Sequence, residues 1–248
     1  MNSLWNALYS MFNTVFHWQI DTEVLEEIVD KLPSFWALFS KEKFRSVIAN
    51  CNNSSTPGLD KLSWSHLKTV LKYDDCLTNI INIANICINL DYWPTYFKRS
   101  TIVVIPKSNK QLYDSPKSFR PIVLLNTLGK LIEKVIGERL QFQVTSNDFI
   151  HPSQLGSLKF KSTIDTGKAL TYIIHLGWVK NISTSTLAFN IAQFFPSLNH
   201  YLLTCILKKA GLDNCIVNIF ANYLVSRKTN YFWNNFTSPI FDMDIRVD

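Results

Sequence analysis

The chain has 248 residues, 47% apolar and 13% aromatic, enough to bury a sizeable core in one large or two small domains and to exclude a disordered polymer. Its formal charge of +6 is unevenly placed: residues 98–180 hold thirteen Lys/Arg against five Asp/Glu, and the rest of the chain twelve against fourteen. A basic zone confined to the middle third is the footprint of a polyanionic partner or else plain solvated surface, since clustered cations attract phosphates and release their counterions.

At the N-terminus Leu4, Trp5, Leu8, Met11, Phe12 and Phe16 fall at helical spacing, with no basic lead and no small-residue cleavage site, so no signal peptide is expected. Phe44, Val47 and Ile48 form an apolar stripe after Ser40, and Leu77, Ile80, Ile81, Ala84 and Ile88 form another behind a candidate Asp74 cap, with a polar turn at residues 52–60 between them. Residues 79–90 are rich in Ile but interrupted by Asn79, Asn82, Asn85 and Asn89, too short and polar to span a bilayer. An intracellular location, cytoplasmic or nuclear and not secreted, follows as the expectation. The β-branched run at residues 101–105 reads as a strand stopped by Pro106 and followed by a long polar loop.

Residues 120–125 resume apolar. Leu128, Leu131, Ile132, Val135, Ile136 and Leu140 then mark a helix face, with Lys130, Lys134 and Glu138 opposite and Asn126 or Thr127 as cap. A helix is expected over residues 163–179, a short strand over 184–189 ending at Asn190, and helices over 200–210 and 213–226. Residues 230–233 and 236–247 suggest a hairpin turned at Asn234 and Asn235. The five cysteines, Cys51, Cys76, Cys87, Cys205 and Cys215, are scattered among apolar neighbours, which predicts reduced thiols, not a disulfide framework or zinc knuckle. No glycine-rich phosphate loop, His-Glu-x-x-His or nucleophile elbow occurs.

Five stretches occur in one order: Ser-Ser-Thr-Pro-Gly-Leu-Asp-Lys from Ser54, Ile-Pro-Lys from Ile105, Ser-Phe-Arg-Pro-Ile-Val-Leu-Leu-Asn-Thr-Leu-Gly-Lys from Ser118, His-Pro-Ser-Gln-Leu-Gly from His151, and Leu-Ala-Phe-Asn-Ile-Ala-Gln-Phe-Phe-Pro-Ser-Leu-Asn-His from Leu187. Together they resemble the fingers and early palm of LINE-type (non-LTR retrotransposon) reverse transcriptases, of the sort abundant in fungal genomes. The resemblance implies an α+β, right-hand polymerase fold, with mostly helical fingers and an incomplete palm sheet. It divides the chain into a helical lead-in over residues 1–39, a fingers region over 40–183 and a truncated palm over 184–248. RNA template, DNA primer and the remainder of a retrotransposon polyprotein are the partners it implies, with no membrane.

The implied chemistry is an in-line phosphoryl transfer assisted by two Mg²⁺ ions. In the family one metal-binding Asp ends the strand that here ends at Asn190, and the others sit on a later Tyr/Phe-x-Asp-Asp hairpin. The amide of Asn190 brings no charge. One divalent–monovalent attraction at about 4 Å is worth on the order of 8 kcal/mol at an effective dielectric near 20, so no metal is expected in this chain and no polymerisation. Tyr73-Asp74-Asp75 resembles the missing hairpin, but an amphipathic run follows it, so it reads as a helix N-terminus. By resemblance Lys107 and Arg120 grip the incoming triphosphate, Phe195 gates the ribose, and Lys159, Lys161 and Lys168 touch the template backbone. Surface cations, a core aromatic and solvated lysines are the bland alternatives. Three readings stay open: a degenerate fragment without function, a nucleic-acid-binding remnant, and a polymerase part completed by a separate or downstream segment.

Overall fold

The first described helix, α1 (Lys41–Ala49), starts where Ser40 Oγ accepts a hydrogen bond from the Lys43 N–H, and it buries Phe44, Val47 and Ile48. In the computed structural model residues 37–146, 149–191, 194 and 198–243 are described. The expected N-terminal helix at residues 4–16 lies outside them, as does Phe195. Helix α2 (Trp64–Val70) is closed by a reciprocal cap, with Ser63 Oγ accepting from the His66 N–H and His66 Nδ1 accepting from the Ser63 N–H. Helix α3 (Asp74–Asn89) has its N-cap at Tyr73, one residue earlier than the sequence suggested, so Asp74 sits in the first turn and not at the cap. There it bridges Lys41 and Arg45, and the Lys41 contact holds its carboxyl below the usual range.

Strand β1 (Arg99–Pro106) pairs antiparallel with β2 (Phe119–Leu125), and parallel with β3 (Lys228–Trp233), which comes more than a hundred residues later. Asn234 and Asn235, at φ of 45° and 63°, turn the chain from β3 into β4 (Phe236–Thr237), a two-residue loop that needs left-handed backbone and so favours Asn. The expected long partner over residues 236–247 is instead broken. Of residues 236–243 only β4 and β5 (Phe241–Asp242) pair with β3, with Ser238 bonding the Tyr231 backbone and Pro239 lacking an N–H between them, while residues 244–247 of that expected strand lie outside the described residues. One face of the sheet packs Ile102, Val104, Phe119 and Tyr231 into a core, with Trp233, Phe241 and Met243 against it.

Helix α4 (Thr127–Ser146) buries Leu131, Ile132, Val135 and Ile136 on the face its spacing predicted. Helix α5 (Thr163–Val179) matches its expected bounds and carries a Ser162–Asp165 capping box. Helices α6 (His200–Lys209) and α7 (Asn214–Leu224) are capped by Asn199 and Asp213, and α7 buries Ile216, Val217 and Ile219. The fold is mixed α and β, with seven α-helices and one small sheet among the described residues. Among the described residues, contacts divide it into one unit of residues 37–135 with 198–243, and a second unit within 136–194.

The strand expected over residues 184–189 is not formed. Residues 182–191 are irregular and exposed, Leu187 by 76% and Phe189 by 86%. A strand persists only while a neighbour takes up its N–H and C=O groups, and among the described residues the sheet consists of β1 to β5 alone. The five cysteines are free, with Cys51 and Cys87 buried and the others half-buried, and burial raises the Cys87 and Cys215 thiols, the latter to about 12. No helix among the described residues is long and apolar enough to cross a membrane.

Candidate nucleotide and nucleic-acid interface

The β1–β2 hairpin brings two of the sequence-selected cations to one end. Ile105 lies opposite Arg120 in the antiparallel register, and Lys107 follows two residues after Ile105. The connecting loop is ordered by its own polar groups. The Lys107 N–H donates to the Ser118 carbonyl at 2.8 Å, the Tyr113 hydroxyl to the Lys107 carbonyl at 2.7 Å, and Ser118 Oγ to the Leu112 carbonyl at 3.0 Å. Lys107 Nζ donates to the Lys117 carbonyl at 2.8 Å, which fixes that ammonium against the loop. Arg120, Lys110 and Lys117 are exposed, and among the described residues no carboxylate pairs with them. The hairpin end thus offers a forked guanidinium and several point charges, the donor set that holds phosphate oxygens.

What holds this hairpin against α4 was not legible in the sequence. Asp60, in the polar turn, accepts the Thr127 N–H at 2.8 Å and donates its own N–H to Asn126 Oδ1 at 3.2 Å. Asn126 Nδ2 donates to the Tyr96 carbonyl at 3.0 Å, and Thr127 Oγ1 to the Leu62 carbonyl. Asp60 therefore supplies, from 67 residues away, the negative charge at the N-terminus of α4 that a local cap would give. Gly58 lies so close beneath that a Cβ there would stand 2.3 Å from the Leu125 carbonyl oxygen. The two motifs starting at Ser54 and Ser118 are thus halves of one clasp, a pairing that only tertiary structure reveals.

A second, half-buried cluster joins α4 to α7 and the residues just after it. Burial pushes the Glu133 carboxyl above the usual carboxylate range. The Tyr223 hydroxyl bonds it and is itself pushed up to about 12, while Glu133 Oε1 has no hydrogen-bond partner. Arg227 stacks on the Tyr223 ring at 4.5 Å and donates to the Tyr223 carbonyl at 3.2 Å. Neighbouring Asn222 accepts from the Trp93 N–H and from the buried Lys98 Nζ, at 2.9 and 3.0 Å, tying α7 to the segment that leads into β1.

The second unit holds Lys159, Lys161, Lys168 and Asn190. All four are exposed. Lys159 lies 5.6 Å over the Phe160 ring, and Lys168 borders a shallow depression of about 590 Å³ with Ile164, Gly167, Thr171, Tyr172 and His175. Lys107 and Arg120 belong to the first unit. Asn190 sits in the irregular exposed segment, and among the described residues no group of three His, Cys, Asp or Glu side chains converges on a point. A neutral amide in that setting does not fit a pair of magnesium ions, which take anionic oxygen ligands.

No family model matches the chain. It is similar over 156 residues, 60% of its length, to a probable RNA-directed DNA polymerase from transposon BS of Drosophila melanogaster, at 29% identity. Over 233 residues, 91% of its length, it is 24% identical to a retrovirus-related Pol polyprotein from type-1 retrotransposable element R1 of Bradysia coprophila. Over 99 residues it is 32% identical to the RNA-directed DNA polymerase from mobile element jockey of Drosophila melanogaster. These alignments cover 17%, 22% and 10% of the respective relatives, so the chain spans less than a quarter of their length. In sequence it is reverse-transcriptase-like.

Proposed function

We propose that this chain is a retrotransposon-derived reverse-transcriptase domain that binds nucleic acid through its fingers surface and does not polymerise DNA by itself. Similarity to an R1 Pol polyprotein across 91% of the chain carries the reading. The paired placement of Lys107 and Arg120 at the hairpin end supports a phosphate-binding role. The finer division into fingers and an incomplete palm, with Phe195 as ribose gate, belongs to the same reading.

Two measurements test it. Labelled single-stranded RNA binding is expected to weaken with salt at a log–log slope of about −0.7 per phosphate contacted, and Arg120→Ala to reduce that slope by about one contact. A salt-independent affinity would remove the nucleic-acid role. Primer extension on an RNA template with Mg²⁺ or Mn²⁺ is expected to give no product, and Asn190→Asp alone to restore none. Magnesium-dependent extension by the purified 248-residue chain would refute the inactive assignment.

A further inference from the structure

The loop between β1 and β2 carries a serine that takes no part in the cation set. Residues 107–115 form neither helix nor strand, and residues 108–114 are all exposed. Ser115 stands half-exposed at the end of this loop, directly before Pro116, with extended backbone at φ −118° and ψ 142°. The proline ring holds the residue before it in that region, so Ser115 is presented in the strand-like form in which protein kinases take up their substrates. Its Oγ accepts one long bond, 3.4 Å from the Lys117 N–H, which leaves the hydroxyl available as a phosphoryl acceptor.

The sequence places two other hydroxyl residues before proline, Thr56 and Ser238. Ser238 is 5% exposed, and its Oγ both accepts from the Tyr231 N–H and donates to the Pro239 carbonyl. Thr56 is exposed, but Gly58 is seated against the Leu125 and Asn126 backbone, so that segment cannot be drawn out without opening the clasp. Ser115 also differs in its surroundings. Lys107 Nζ donates at 2.8 Å to the carbonyl of Lys117, the residue whose N–H meets Ser115 Oγ. Residues 107–120 hold Lys107, Lys110, Lys117 and Arg120 against the single carboxylate of Asp114, four positive charges less one negative. A phosphoserine carries about −1.5 to −2 at neutral pH and three strong acceptor oxygens, so at Ser115 it cancels roughly half or more of that excess.

We propose that Ser115 is a phosphorylation site for a proline-directed serine/threonine kinase, and that its phosphate masks the cations of the β1–β2 loop from nucleic acid. In the transfer, Ser115 Oγ bonds the γ-phosphorus of a nucleoside triphosphate as that phosphorus loses the oxygen it shares with the β-phosphate. The nucleoside diphosphate leaves with the bonding pair, and the hydroxyl proton goes to the kinase's base. The masking rests on the nucleic-acid reading above, and the site of modification does not.

The full 248-residue protein is treated with a purified proline-directed kinase and ATP, and the phosphate is located by mass spectrometry. One phosphoryl group is expected on Ser115, lost in Ser115→Ala and kept in Thr56→Ala. No incorporation, or incorporation at Thr56 in place of Ser115, would overturn the proposal. Labelled single-stranded RNA should bind the phosphorylated protein about tenfold or more weakly at low salt, with a log–log slope shallower by about 0.7 for each contact masked. Amine acylation gives a readout that needs no RNA. The phosphate favours the protonated form of nearby ammonium groups, so Lys107 and Lys117 should acylate several-fold more slowly after phosphorylation. Unchanged acylation, or unchanged affinity for an RNA that the unmodified protein binds, would refute the masking. Failure of the unmodified protein to bind RNA would count against the nucleic-acid reading instead, and acylation would still decide the proposal.

Discussion

Replacing Gly58 with Ala tests the clasp that seats the polar turn on the start of α4. The added Cβ would meet the Leu125 carbonyl oxygen at 2.3 Å, the Leu125 carbonyl carbon at 2.4 Å and the Asn126 nitrogen at 2.7 Å, all of them backbone atoms that have no rotamer to change. The turn must therefore lift, and with it go the Thr127 N–H bond to the Asp60 carboxylate and the Asp60 N–H bond to Asn126 Oδ1. A hydrogen bond to a charged group contributes about 1.5–3 kcal/mol and a neutral one about 0.5–1.5, so the loss should be on the order of 2–4 kcal/mol. Urea unfolding followed by tryptophan fluorescence reads this as a midpoint lowered by roughly 1–2 M at a slope near 2 kcal/mol/M. Gly137→Ala is the control. That glycine lies inside α4 with nothing within 4 Å of the new Cβ, so the same substitution should raise stability by about 0.5–1 kcal/mol. A Gly58→Ala protein within about 0.5 kcal/mol of wild type would refute the argument that the clasp depends on this close approach.

Glu133 predicts a pH dependence. Its folded pKa is raised, so its contribution to stability is complete below the unfolded value and is lost as pH rises through the folded one. Stability measured from pH 4 upward should therefore carry a falling component that Glu133→Gln removes, and an unchanged profile in that variant would count against the Glu133–Tyr223 cluster. Tyr223→Phe deprives the carboxylate of its bonded partner and should cost about 1–3 kcal/mol at neutral pH, read by the same denaturation. Ser162→Ala breaks the capping box of α5 and should lower stability of the second unit by about 1 kcal/mol, seen as faster amide exchange in residues 163–166.

The helices were legible because their apolar spacing and their caps agree. Ser40 with Phe44, Val47 and Ile48 is one case, and residues 163–179 are another, a helix expected with the bounds the structure gives and closed by a Ser162 cap that the structure adds. The Asn234–Asn235 turn was legible because few residue types accept left-handed backbone twice in succession. The strand at residues 184–189 was misread for the opposite reason: a short apolar run records fitness for a sheet, and only a pairing neighbour makes one. At the candidate site, the β1–β2 register places Arg120 opposite Ile105, two residues before Lys107, a neighbourhood that comes from strand pairing and not from the motifs themselves. Asp60 and Glu133 went unnoticed because a lone carboxylate in a turn or on a helix reads as solvated until its distant partner is known.

The parallel seam between β1 and β3 has a consequence for how this protein is made. Arg99 is translated long before its register mate Lys228, and at about 5–20 residues per second the ribosome needs roughly 6–25 s to deliver the missing edge. For that interval the nascent hairpin presents an unsatisfied ladder, for which holdase chaperones and neighbouring nascent chains compete. Codon usage and chaperone supply across residues 107–228 should therefore govern the yield of correctly assembled product.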